Sequence, residues 1–184
     1  MAKKFPSEPV TLRNMEVLRT PFRNLSGGPT KYNPAGGARF FNVRLSEEQA
    51  DALAADGWKV RSLPARDEQE MPLRFLEVKV SYKGRGPKIV KVTPVGKEDL
   101  PEDLVGLLDS ADLEFVDLTI RPYVYDRDTA EFCTAYLQTA YFHIRMDELE
   151  LQYAMEDVDG TEDDSDEVVC DDDGVCYLNG VRIN

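Results

Sequence analysis

Apolar and polar residues alternate with period two through most of this chain, the spacing that sends one face of a strand into a core and the other into water. Residues 10–20, with the run VTLRNMEVLR, predict a first strand. ARFFNVRL predicts a second, with Phe41, Val43 and Leu45 on one face and Phe40, Asn42 and Arg44 on the other. Between them RNLSGGPTKYNPAGGA is dense in Gly, Pro and Asn and predicts a long flexible loop. The pattern then changes to a helical one: Ser46 and Gln49 have capping-box spacing, EEQADALAAD continues as a helix, and Gly57 can end it in a left-handed conformation. WKVRSL predicts another brief strand and PARDEQEMP a polar connection.

FLEVKVSYKGRGPKIVKVTPV is the clearest hairpin signal in the body, two alternating runs around a basic KGRGPK turn. Leu76, Val78 and Val80 take one face, and Phe75, Lys79 and Lys83 the other. EDLPEDLVGLLDSAD predicts one or two helical turns that bury Leu104, Leu107 and Leu108. Two long strands follow, 113–125 and 132–145, joined by DRDTAE. In the first, Val116, Leu118, Ile120 and Val124 form the core side, leaving Thr119, Arg121, Tyr123 and Tyr125 opposite. In the second the buried face stays open, because Phe132, Tyr136 and Phe142 compete with Leu137 and Tyr141. DELELQYAM closes the body, EDVDGTEDDSDE has the composition of a disordered linker, and CYL and VRI flank Asn179-Gly180, the preferred two-residue hairpin signal.

Five or six strands, one or two short helices and long early loops suit a mainly β protein. The specific expectation is an oligonucleotide/oligosaccharide-binding (OB)-like Greek-key barrel over residues 1–155, with an acidic tail over 156–184 ending in a short hairpin. A β-sandwich is the architectural alternative.

Charge changes the picture. The whole chain is −13, yet residues 1–155 hold 21 Lys and Arg against 24 Asp and Glu, net −3, while residues 156–184 hold 1 against 11, net −10. Residues 1–45 and 74–97 are each +6. A basic body beside an anionic tail suits a protein that grips a polyanion and uses the tail to compete for that site or recruit partners.

Chemistry of other kinds finds little support. The N-terminus lacks the apolar core of a secretory signal, and no run approaches the ~18 apolar residues of a membrane span, so a cytoplasmic protein without a membrane partner is expected. Three cysteines give no disulfide framework; Cys133 reads as an apolar filler, and Cys170 and Cys176 as a weak redox pair at most. A closed zinc site would need unusual ligands beside the single His143, and Gly160 is out of register for a calcium loop built on Asp157, Asp159, Asp163 and Asp164, so no cofactor or metal is expected. No nucleophile-and-base order, Walker loop or HExxH occurs, and a non-enzymatic protein is the expectation.

What remains is a constellation on the faces turned from the core: Phe40, Arg44, Phe75, Lys79, Lys83, Lys91, Arg121, Tyr123 and Tyr125, with Arg39 beside Phe40. Bases stack on aromatic planes for roughly 1–3 kcal/mol each while lysine and arginine neutralise phosphates, the composition a single-strand platform needs. Lys31, Tyr32 and Arg85 extend the track into loops. Against this, aromatics favour strands in any case, and Trp58, just past a helix-ending glycine, fits a packing role better than a stacking one.

Over the stretches SGGPTKYNPAGGARFFNVRL, DGWKVR, GLLDSAD, VDLTIRPYVY and TAYLQTAYFHI the chain resembles single-stranded DNA-binding proteins of tailed bacteriophages. That resemblance implies an OB-type barrel that coats exposed strands in phage replication and recombination, without cofactor or turnover. It also implies an acidic tail that contacts replication or recombination proteins such as polymerase, helicase or primase. The family commonly ends in acids and a terminal aromatic, whereas here the acids are followed by VCYLNGVRIN. The expectation is a largely sequence-independent single-stranded DNA-binding protein, with a homo-oligomer open. The alternative is a phage adaptor, or an inhibitor whose acidic end imitates DNA.

Overall fold

The computed structural model describes residues 5–159 and short strands at 168–170, 176–178 and 181–182. The chain divides into two compact units, Met1–Met146 and Asp147–Asn184.

The first unit is built on a long antiparallel ribbon of β8 (Leu113–Tyr123) and β9 (Thr134–Ile144), paired from Leu113↔Ile144 to Tyr123↔Thr134 with two register shifts on the way. β1 (Val10–Met15) lines the outer edge of β8. On the far edge of β9 two strands run parallel to it, end to end. β5 (Leu73–Val80) lies against Ala135 and Tyr136, and β6 (Lys88–Thr93) against Thr139 to His143. β5 carries β3 (Arg39–Arg44) on its other edge, β3 carries the two-residue β2 (Arg23–Asn24), β4 (Val60–Leu63) pairs the start of β5, and β7 (Gly96–Asp99) pairs β6. These nine strands form one mixed sheet of order β1-β8-β9-β5-β3-β2, with β4, β6 and β7 attached beside that path.

Two expectations are corrected here. The sheet is not closed into a barrel. Only an isolated bridge, Val17↔Val43, links the chain after β1 to β3, and it does not extend into a ladder. The KGRGPK segment is not a hairpin turn either, since β5 and β6 pair with each other nowhere and share β9 as a neighbour in tandem. Alternating side chains look the same in a hairpin and in two collinear strands, and the partner decides. The true hairpin lies just beyond, where Thr93↔Gly96 closes β6 on β7.

Period-two burial holds elsewhere. Phe41 and Val43 of β3, Leu76 and Val78 of β5, and Val116, Leu118 and Ile120 of β8 are all buried in one cluster. Phe41 meets Phe142 edge to face at 5.2 Å. In β9 the buried set is Ala135 and Leu137, then Ala140 and Phe142, so parity switches once. A register shift opposite Thr119 and Ile120 inserts Gln138, and each side of that bulge keeps its own alternation.

α1 (Glu47–Ala55) starts on the predicted capping box, with Gln49 N donating to Ser46 Oγ at 3.2 Å and Ser46 N to Gln49 Oε1 at 3.0 Å. It buries Ala50 and Leu53 beside Trp58, which lies in the core with Cys133. Gly57 takes φ +95°, as the helix end requires. The 98–112 run holds a 3-10 helix at Val105–Asp109. Three residues per turn superimpose Val105 and Leu108, which are buried, whereas Leu107 is 59% exposed and Leu104 40%. The expected burial of Leu108 holds, whereas Leu104 and Leu107 are exposed and Val105 is buried instead.

The loop between β2 and β3 is internally bonded. Gly37 N donates to Gly27 O at 2.7 Å, Asn33 N to Thr30 Oγ1 at 3.0 Å, and Asn24 Nδ2 to Gly28 O at 3.0 Å.

In the second unit DELELQYAM and the first acids after it form α2 (Glu148–Asp159). β10 (Val168–Cys170), β11 (Cys176–Leu178) and β12 (Val181–Arg182) pair antiparallel, with Leu178 opposite Val181. Most of the predicted linker, residues 160–167, and the Asn179-Gly180 turn lie outside the described residues.

Candidate nucleic-acid interface

Residues paired across adjacent strands share a face of the sheet, so the ladders can be followed from one strand to the next. Phe40 of β3 pairs Lys79 of β5, Lys79 pairs Tyr136 of β9, and Tyr136 pairs Arg121 of β8. These four make one transverse row on the face away from the core, ring, cation, ring, cation, at the ~4.8 Å spacing of neighbouring strands. Lys79 and Arg121 are exposed, Phe40 and Tyr136 half-buried. Tyr123 leans on Tyr136, ring centroids 5.3 Å apart and 69° between planes. A ring fixed edge-on by its neighbour is pre-oriented for a base, at little further entropic cost.

The row ends in a groove of about 470 Å³ whose charged lining residues are Arg85, Lys88 and Arg121, with Gln138 and Thr139 as its polar floor. No acid lines it. Lys79, Arg85, Lys88 and Arg121 have no ion-pair partner among the described residues. Three of these unpaired cations, Arg85, Lys88 and Arg121, line one groove, from which a phosphate backbone can displace counterions.

The other predicted residues are placed differently. Phe75 is 5% exposed and sealed by Phe22, edge to face at 5.6 Å. Arg44 pairs Glu16 at 3.3 Å. Arg39 donates to Leu25 O and Glu102 O, pairs Glu102 Oε1 at 3.3 Å and covers the Tyr82 ring. Lys91 shares the side of its register partner Phe142 and pairs Glu98 at 2.7 Å. Lys83 is exposed in the turn that also carries Arg85. Tyr125, 92% exposed, stands beyond the end of β8 in the loop ordered by Asp126, whose carboxyl takes hydrogen bonds from Thr129 Oγ1 at 2.7 Å and Asp128 N at 3.1 Å. The Thr129 bond leads in holding that carboxyl below its usual range. Lys31 and the 82% exposed Tyr32 form a loop pair, the ammonium 6.0 Å from the ring centroid. That loop springs from the β2–β3 pair, where Asn24 faces Phe40.

Sequence reasoning missed three contributors. Tyr136 was unassigned because the bulge at Gln138 reverses the parity of its strand. Lys88 stood at the edge of a supposed hairpin, although it lies inside the +6 block of residues 74–97. Phe132, 45% exposed beneath the Lys59 ammonium at 5.9 Å, adds a ring at the end that carries Tyr123.

His143 stacks on Phe115 at 4.0 Å, its Nε2 3.6 Å from Asp117 Oδ2, which gives it a structural setting in the strand. Among the described residues no cluster of His, Cys, Asp and Glu fit to hold a metal ion occurs, and no helix is long and apolar enough to cross a membrane.

No curated protein and no solved structure matches the chain. A family model does, over residues 4–177, and its description is "Putative phage ssDNA-binding domain". The match covers nearly the whole chain, including every strand that builds the row and the groove. The chain belongs to this family of phage single-stranded DNA-binding domains.

Proposed function

We propose that the protein coats exposed DNA strands during phage replication or recombination in the host cytoplasm, laying them across the outer face of the sheet with little regard for sequence. The observation that carries this reading is the in-register row Phe40, Lys79, Tyr136 and Arg121 running into a groove whose charged lining residues are all cations. Capture is electrostatic, through release of condensed counterions; bases then settle on Phe40, Tyr136 and the neighbouring Tyr123. None of these contacts reads a base edge, so discrimination among bases is weak, and nothing in the row turns a substrate over. The β8–β9 and β2–β3 loops, with Tyr125 and Tyr32, lengthen the track at its two ends.

The segment 156–184, net −10, competes for the same cations in the free protein or recruits replication proteins. Its removal is expected to tighten strand binding, most of all at low salt.

The direct test is anisotropy of a labelled oligo(dT) titrated with wild type and Tyr136→Ala. Loss of one stacking partner weakens binding by about 1–3 kcal/mol, roughly 5- to 150-fold. Tyr136→Phe, which keeps the ring, is expected to bind as wild type. Equal affinity of the alanine variant and wild type would remove Tyr136 from the strand path.

A further inference from the structure

A second polar cleft, of about 800 Å³, opens where β8 begins and β9 ends, between the chain around Arg19 to Arg23, the turn from Asp109 to Glu114, and Arg145. From Arg121 to Leu113 is eight residues of β8, about 26 Å at ~3.3 Å per residue, so this cleft lies well away from the cationic groove. At its wall is Arg23, which is 7% exposed. Among the described residues its Nε has no hydrogen-bond partner, and its Nη2 reaches only Ala111 O, at 3.4 Å.

A buried guanidinium left in this state is costly, because it has given up water without gaining full replacement. Burial pulls its pKa down, opposed chiefly by the nearby charge of Asp109. Asp109 makes no hydrogen bond to it; the Asp109 oxygens accept instead from Leu25 N at 2.6 Å and Ser26 N at 2.9 Å. Glu16 is likewise engaged, with Arg44. Arg19 and Arg145 bring two further cations into the cleft, and Asp112 and Glu114 bring two acids; the charges of Arg19 and Asp112 act on Arg23, and none of these four side chains has a hydrogen-bond or ion-pair partner among the described residues.

We propose that this cleft binds a carboxylate, seated on Arg23 and flanked by Arg145, as presented by an acidic side chain of a peptide. Guanidinium matches carboxylate through two parallel N–H donors; Nε itself is buried, so the carboxylate meets Arg23 at the part of the guanidinium that lines the cleft. The acids set the class of ligand. A run of phosphates would bring several charges against Asp112 and Glu114, whereas a single carboxylate next to peptide N–H groups satisfies Arg23 and gives those acids donors to accept from. The site is thus a protein-facing one, on the same unit as the DNA face and independent of it.

The test uses the full chain and the side-chain Nε–H resonance of Arg23 in a ¹⁵N-correlated spectrum, assigned by its loss in Arg23→Lys. The probes are acetyl-Gly-Glu-Gly-amide, sodium acetate, inorganic phosphate and a dT oligomer. A saturable shift with the glutamyl peptide, undiminished when the dT oligomer is bound, is the expected result; in Arg23→Lys, where that resonance is gone, the backbone amide shifts of Ala111 to Glu114, which line the same cleft, are expected to report an affinity at least tenfold weaker. An equal response to acetate would make the ligand a free small carboxylate, and a response to the peptide alone a peptidic one; both uphold the site. Arg145→Gln, an exposed position, is expected to weaken the peptide severalfold and carries the test if the Arg23 variant does not fold. No saturable shift with either carboxylate, or a stronger one with phosphate, overturns the proposal. Displacement of the peptide by the dT oligomer also overturns it, by making the cleft part of the DNA path.

Discussion

Replacing Lys79 and Arg121 together by Gln removes the two cations of the transverse row while leaving Phe40 and Tyr136 in place. Both side chains are exposed and free of ion pairs among the described residues, so the change costs the fold little. Its effect on binding follows from counterion release. With Lys79, Arg85, Lys88 and Arg121 each neutralising one phosphate, the slope of log K against log salt for a single strand is about −2.8, and with two cations left it is about −1.4. Raising salt from about 50 to about 200 mM then weakens wild type roughly 50-fold and the double variant roughly 7-fold. Anisotropy titrations of a labelled oligo(dT) at four salt concentrations give both slopes directly. A variant that is weaker at every salt concentration but has the wild-type slope would refute the reasoning, because its lost affinity would not be electrostatic. A wild-type slope much steeper than about −3 would mean that the strand also meets cations beyond these four, with Lys31 and Lys83 the first to substitute.

Gly86 stands where an added Cβ would come within 2.7 Å of Cδ1 of Tyr82, a ring covered by Arg39, its hydroxyl buried without a partner. Gly86→Ala is expected to cost about 1–3 kcal/mol of stability in a thermal melt, while Gly96→Ala, with nothing within 4 Å of its Cβ, changes the melt little; equal behaviour of the two would show that Tyr82 yields freely. Burial pushes the Cys133 thiol up to about 11 from its usual value near 9. The unfolded chain therefore ionises first as pH rises, and the contribution of the neutral buried thiol is present below pH 9 and lost between about 9 and 11. Cys133→Ala should lack this loss, so its urea midpoint and that of wild type should converge across that interval, and a constant gap would show that the thiol does not ionise on unfolding.

Much of the fold was legible because burial alternates with period two wherever a strand has one wet face. Ser46 with Gln49, and the stripe Val116, Leu118, Ile120, follow from local chemistry alone. What was not legible is who sits beside whom. β5 and β6 carry the same alternation whether they pair with each other or both pair with β9, and the single inserted residue Gln138 reverses which residues of β9 face outward. The candidate site inherits that limit. Phe75 and Lys79 share one face of one strand, yet Phe22 folds over the first and nothing covers the second. Lys91 and Lys88 are three residues apart in one strand, and opposite neighbours give one a carboxylate at 2.7 Å and the other an open groove.

A binding face of this kind is therefore a property of register, since stacking and charge act on a DNA strand only when residues distant in sequence fall into one row. The row here depends on Lys79 lying against Tyr136, one of two pairs by which the parallel strand β5 holds β9. That contact forms across more than fifty residues of chain, and it is the seam at which Phe40 and Lys79 meet Tyr136 and Arg121, backed by the shared core in which Phe41 touches Phe142. DNA laid across all four would bridge that same seam. Bound strand and native register should for this reason stabilise each other, each favouring the state in which the other is complete.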